Sequence, residues 1–303
     1  MRPDFAAIRP FTPGEGLPGE AVQWESAAGR LSMRVSGAGA PLLLIHSINA
    51  APSSAEVAPL HRHYEQSRCV FSLELPGFGA SERSDRAYTP RLMTDAIHAA
   101  VQEIQRRCGP APIDVLALSL SCEFLARAAS EQPDRYRSVA LVSPTGFNGR
   151  GTRRGPPGST MSIPWLLRLL RGSALWPMLF RALTRPGVIR FFLRKTFGSP
   201  KISQWLHEQA VQTAGVAGAA HAPLYFLTGS LFSRDIHTLY DALQCPVWMC
   251  HGVRGDFTDY RQKSRLQGAA NWHFSVMPTG ALPQFEVPES FFGEYDRFLS
   301  STL

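Results

Sequence analysis

"PIDVLALSLS", residues 112–121, is an apolar run that ends in two serines, and "SCEFLARAASE" (121–131), which follows, repeats apolar residues at helical spacing. A strand that passes directly into a helix makes a tight turn, and the residue on that turn takes a strained backbone. Ser119 occupies the junction. Strand and helix backbones crowd there, so the positions two before and two after must be small; they are Ala117 and Ser121. Small-x-Ser-x-small is a weak signal by itself, and its place between strand and helix gives it weight. Ser119 is therefore a candidate nucleophile, with a small residue fitted to a crowded turn as the plain alternative.

Working outward, "PLLLIHS" (41–47), "RCVFSLEL" (68–75), "YRSVALVSP" (136–144), "CPVWMCHG" (245–252) and "NWHFSVMP" (271–278) are similar short apolar runs bounded by turn residues. They predict buried strands of a mostly parallel sheet. Helical patterns at 54–65, 89–107, 121–131, 233–243, 258–268 and 289–301 alternate with them, which predicts an α/β layered fold with helices on both faces. "AVQWES" and "GRLSMRVSG" predict an antiparallel hairpin at the sheet edge. Residues 148–225 break the alternation. "GRGTRRGPPGST" is a loop by its Gly and Pro content, and the segment from Ile163 to Gly198 predicts short amphipathic helices broken at Gly and Pro. The expected organisation is a core of residues 1–147 and 226–303 with a helical cap, 148–225, inserted after a strand. Trp165, Trp176, Phe180 and Phe191 are expected to turn toward the core or a pocket, with the arginines outward; the first three are candidate substrate contacts.

The 303 residues carry a net charge of +7, unevenly spread. Residues 150–207 hold eleven Lys or Arg and no Asp or Glu, which leaves 20 basic and 24 acidic residues elsewhere. The plain reading is a solvated helix face. The functional reading is attraction to an anionic small-molecule substrate or to an anionic membrane surface. No nucleic-acid-binding motif, phosphate loop, dinucleotide fingerprint or zinc spacing is present, so neither a nucleic acid, a cofactor nor a metal is expected. Five cysteines without Cys-x-x-Cys spacing, and an opening segment without an apolar run, point to a reduced, cytoplasmic chain. No stretch is long and apolar enough for a membrane-spanning helix.

Four segments fall in a telling order: "LLLIHSINA", "LELPGFGASERSD", the "ALSLS" turn and "PVWMCHGVRGDF". With the helical insertion, this set resembles the α/β-hydrolase fold family over nearly the whole chain. The resemblance implies hydrolysis of an ester or related acyl bond in a largely apolar substrate. It implies Ser119 as nucleophile, the N–H groups of Leu120 and Ile48 as oxyanion donors, and Asp256, with Asp259 as its rival, as the acid. "TGALPQFEVP" (279–288) resembles the family segment Gly-His-x-Pro-x-x-Glu-x-Pro, whose His is the base. Ala281 stands at that position and cannot accept a proton. Ser47, Glu74, Ala117 and Ser121 also depart from the family's usual residues.

A serine hydroxyl is a poor nucleophile without a base. His221, at the return from the insertion, and His251, at the end of the strand before Asp256, are candidate substitutes; each is more often a satisfied structural histidine. His46 is a further histidine near the oxyanion loop. Two other functions stay open: a non-catalytic binding protein on this frame, and a cofactor-free, lyase-like enzyme using the oxyanion site without acyl transfer.

Overall fold

Eight strands form one sheet: β1 (Glu20–Ser26), β2 (Gly29–Ser36), β3 (Pro41–Ile45), β4 (Cys69–Glu74), β5 (Ile113–Leu118), β6 (Tyr136–Val142), β7 (Val247–Gly252) and β8 (Trp272–Met277). The computed structural model describes residues 16–149 and 151–302; the opening segment read as lacking a leader, Arg150 and Leu303 lie outside them. The strand order is β1-β2-β4-β3-β5-β6-β7-β8. β2 pairs antiparallel with β1 and β4, and every other pairing is parallel.

Apolar residues fill both faces of the central strands, which is why those strands read as unbroken apolar runs. Leu43, Ile45, Val115, Ala117 and Met249 enter one core, which helices α2 (Pro90–Cys108) and α3 (Ser121–Glu131) cover. Leu42, Leu44, Leu116, Leu118 and Trp248 enter the other, under α1 (Ala58–Tyr64) and α11 (Pro288–Ser301). Between β6 and β7 come α4 (Pro164–Arg171), α5 (Leu175–Leu183), α6 (Pro186–Phe197), α7 (Gln204–Ala214), α8 (His221–Leu227) and α9 (Ile236–Asp241). The short α10 (Pro283–Glu286) precedes α11. No described helix is long and apolar enough to cross a membrane.

Two expectations need correction. The helical pattern at 258–268 yields only a 3₁₀ turn, Arg261–Arg265. Its start is tied elsewhere: Asp259 accepts the Gly149 N–H at 2.9 Å and the Arg261 guanidinium, and Gln262 N–H donates to Phe147 O at 3.0 Å. These ties override a modest local preference. The second correction concerns the apolar faces of the insertion. Trp176 and Phe180 are buried at 5% and 6% exposure, whereas Trp165 is 66% and Phe191 53% exposed. α4 and α6 bury Leu170, Ile189 and Phe197 instead.

Candidate active site

β5 ends at Leu118 and α3 begins at Ser121, which leaves two residues to reverse the chain. Ser119 makes the turn with φ 52°, in the left-handed region that costs a non-glycine residue about 1–2 kcal/mol. Its neighbours hold it there. Its N–H donates to Val142 O at 2.9 Å, and its carbonyl accepts the Cys122 N–H at 3.1 Å. Ala117 is fully buried, and Ser121 Oγ donates to His46 O at 2.6 Å. The serine at 121 thus does more than fit: it ties the start of α3 to the end of β3. Ser143, at the end of neighbouring β6, is the other non-glycine residue among those described with positive φ, at 48°.

Ser119 lines a cavity of about 420 Å³, which falls in the ordinary range for small-molecule sites. Ile48, Leu120, Asp256, Asp259 and Ala281 line the same cavity. Among the described residues, neither the Ile48 nor the Leu120 N–H donates to a protein acceptor. Two free N–H groups beside a serine are the elements of an oxyanion site.

The loop that carries Ile48 is fixed by a residue the sequence reading passed over. Glu56, 7% exposed, accepts the Ser47 N–H at 2.8 Å and an Asn49 Nδ2 hydrogen at 2.8 Å. Asn49 also donates to Ser47 Oγ at 3.0 Å. A lone acid in the small-residue stretch "APSSAEVA" was the available signal. Arg153 and Ser143 also line the cavity without having been singled out. Arg153 donates to Asn148 Oδ1; it makes no close ion pair among the described residues, although its charge acts on the buried Glu123 carboxyl.

The histidines lie elsewhere. None of the residues lining this cavity is a histidine. His251 donates from Nδ1 to Gly252 O at 2.8 Å and accepts from Lys263 Nζ at 2.8 Å, while its ring stacks on Tyr260. Burial lowers its pKa, in keeping with a neutral ring. His221 donates from Nδ1 to Arg83 O at 2.8 Å and lines a separate pocket with Trp176. His46 donates to Ser47 O at 2.6 Å and accepts the Leu75 N–H at 3.1 Å. No described side chain hydrogen-bonds Ser119 Oγ. Trp165, Trp176 and Phe180 do not line the cavity; Leu193, Thr196, Phe226 and Phe232 do.

The two carboxylates after β7 differ in their partners. Asp256 faces Lys195, with Nζ 3.3 Å from Oδ2. Asp259 is held by the Arg261 guanidinium, which together with the Gly149 N–H keeps its carboxyl well below the usual range.

The loop around Ala281 keeps a defined path. Gly280 has Thr196 O 2.3 Å from where a Cβ would stand, so only glycine fits. Its N–H donates to Glu286 Oε1 at 2.7 Å. Pro283 and Pro288 open α10 and α11, where a missing N–H costs nothing. The Ala281 N–H donates to Thr196 O at 2.8 Å. Each residue shared with the family segment therefore has a structural task that does not depend on a histidine.

Strand order, helical layers and a cavity at the carboxyl ends of β5 and β6 define an α/β-hydrolase fold. The chain belongs to the alpha/beta hydrolase family, whose model matches residues 42–294. It is 24% identical over 217 residues to a pimeloyl-[acyl-carrier protein] methyl ester esterase of Chromobacterium violaceum, covering 72% of this chain and 74% of the relative. Among solved structures it resembles a membrane phospholipase A described as a bacterial virulence factor (19% identity, 93% of this chain and 86% of that one, TM-score 0.70). It also resembles the Cif epoxide hydrolase of Acinetobacter nosocomialis (17% identity, 92% and 88%, TM-score 0.70). At this identity such likenesses establish the fold, and one fold serves several reactions.

Proposed function

We propose that this chain is a serine hydrolase of an ester or related acyl bond, with Ser119 as nucleophile and a degenerate triad. The observation that carries the reading is Ser119 in a left-handed turn beside the free N–H groups of Ile48 and Leu120, all on one cavity. Ser119 Oγ attacks the acyl carbon, and the two N–H groups stabilise the developing oxyanion. Ala281 stands at the base position. The Ser119 proton passes to cavity water, with Asp256 as the supporting carboxylate. Collapse of the tetrahedral oxyanion then breaks the bond to the leaving alkoxide, which takes up that proton, and a second water hydrolyses the acyl-serine to the free acid and Ser119. General-base catalysis by a positioned group is worth about 10²–10⁴-fold, so turnover is expected to be slow. The relative named for an acyl methyl ester supports an ester substrate. Arg153, which lines the cavity without a close ion pair, supports a substrate whose apolar body ends in an anionic group. In this reading residues 148–225 act as a cap on a core of 1–147 and 226–303.

A second reading keeps the oxyanion site without acyl transfer, as a binding protein or lyase-like enzyme. The absence of any histidine from the cavity lining favours it. A fluorophosphonate probe separates the two: covalent labelling that is lost in Ser119→Ala supports the hydrolase. An unlabelled Ser119 in folded protein refutes it.

A further inference from the structure

Nine of the fourteen large apolar side chains left exposed among the described residues lie between Met161 and Phe192. They form outward stripes on three successive helices. α4 presents Trp165 and Leu169 at an i,i+4 spacing, α5 presents Leu175 and Met178, and α6 presents Phe191 and Phe192. Each helix also buries residues of its own: Leu170 on α4, Trp176 and Phe180 on α5, and Ile189 and Phe197 on α6. A helix on a water-facing surface ordinarily puts polar residues on its outer side. Here the outer side carries large apolar side chains among its arginines, and exposed apolar area concentrated in one region marks an interaction surface.

The charged residues on the same helices identify the partner. Residues 150–207 carry eleven basic and no acidic side chains. Arg171 lies 3.7 Å from Asp85 and Lys195 lies 3.3 Å from Asp256. Arg168, Arg181, Arg185 and Arg194 have no carboxylate partner among the described residues. A second copy of this chain would bring the same excess of positive charge to a face-to-face contact, and repulsion opposes that arrangement. Large apolar side chains interleaved with guanidiniums suit the boundary of an anionic bilayer, where cations meet lipid headgroups and apolar groups enter the acyl layer by about 5–10 Å.

We infer that the outer faces of α4, α5 and α6 form a docking surface for anionic lipid membranes. α6 also contributes Leu193 and Thr196 to the Ser119 cavity, so docking places one wall of that cavity next to the lipid. The inference concerns α4–α6 and stands whatever chemistry occurs at Ser119.

Co-sedimentation of the full chain with vesicles tests it. Phosphatidylcholine vesicles containing phosphatidylglycerol are expected to bind at least about tenfold more protein than phosphatidylcholine alone, with binding that falls as salt rises. Two variants probe the two components: Trp165→Ser with Phe191→Ser and Phe192→Ser, and Arg168→Glu with Arg181→Glu and Arg185→Glu. All six positions are solvent-exposed, and circular dichroism and thermal midpoint verify folding. Each variant is expected to lose most of the binding. Three results overturn the inference: no binding to the anionic vesicles, binding that survives the serine substitutions, or no vesicle binding together with concentration-dependent self-association that the same substitutions abolish. The last assigns the face to a second copy.

Discussion

The ammonium of Lys195 lies 3.3 Å from Asp256 Oδ2, so the carboxylate proposed above as the triad acid is paired with a cation from α6. Placing a histidine at position 281 therefore sets up a competition for Asp256. Ala281→His is expected to raise hydrolysis of an activated ester by about 10²–10⁴-fold, the usual contribution of a positioned base. Adding Lys195→Met should raise it further by freeing Asp256, and Ser119→Ala should abolish the gain in either background. Initial rates with a p-nitrophenyl ester measure all three. A rate unchanged by Ala281→His would show that the frame no longer supports acyl transfer at Ser119.

Strain at Ser119 predicts a stability effect opposite to its effect on reactivity. Ser119→Gly removes a Cβ from a left-handed residue but adds freedom to the unfolded chain. The net expectation is a gain of roughly 0.5–1 kcal/mol in unfolding free energy, together with complete loss of fluorophosphonate labelling. Urea unfolding of the two proteins provides the check; a loss of stability would contradict the strained turn.

Gly280 predicts the reverse. A Cβ there meets Thr196 O at 2.3 Å and Phe197 O at 2.5 Å. Gly280→Ala should cost about 1–3 kcal/mol, the range for overpacking. It should also displace the Ala281 loop from α6, which the loss of any rescue by Ala281→His would reveal.

His61 predicts acid sensitivity. Burial lowers its pKa from the ordinary 6.5 to about 4. The neutral ring donates from Nε2 to Ser36 Oγ at 2.7 Å and accepts the Ser72 hydroxyl at Nδ1, also at 2.7 Å. The unfolded chain binds this proton more readily. Stability is therefore unaffected above about pH 6.5, falls as the pH drops below it, and reaches its full loss, on the order of 3 kcal/mol, below about pH 4. His61→Gln should flatten the pH slope of unfolding free energy in that window.

Arg153 predicts selectivity. In the Ala281→His background, Arg153→Gln should raise KM for an ester ending in a carboxylate by about 10–100-fold, the worth of one charge-assisted pair. A neutral ester of equal length should be little affected. Equal loss on both would refute an anion-recognising role.

Much of the fold was legible because parallel strands buried on both faces leave unbroken apolar runs, and all eight were placed within a few residues. The tight turn at Ser119 was legible because its strand and helix patterns abut. The outward turn of Trp165 and Phe191 was not legible, because α4 and α6 are apolar on two sides and periodicity alone does not say which side meets the core. Nor was the collapse of 258–268 to one 3₁₀ turn, which depends on the contact between Asp259 and Gly149, 110 residues apart. Glu56 escaped notice for a similar reason: its partners, Ser47 and Asn49, are defined by the folded loop and by no motif.

The hydrogen bond from Ala281 N–H to Thr196 O has a mechanical consequence. Gly280 packs against Thr196 and Phe197 without room for a methyl group, so the end of α6 and the loop after β8 are stitched backbone to backbone. α6 cannot lift away from the sheet without dragging position 281 with it. An entrance that opened by swinging α6 outward would therefore disturb two parts of the cavity lining, Thr196 and Ala281, in the same motion. A doorway compatible with an intact site has to hinge elsewhere, and α6 serves as the fixed jamb.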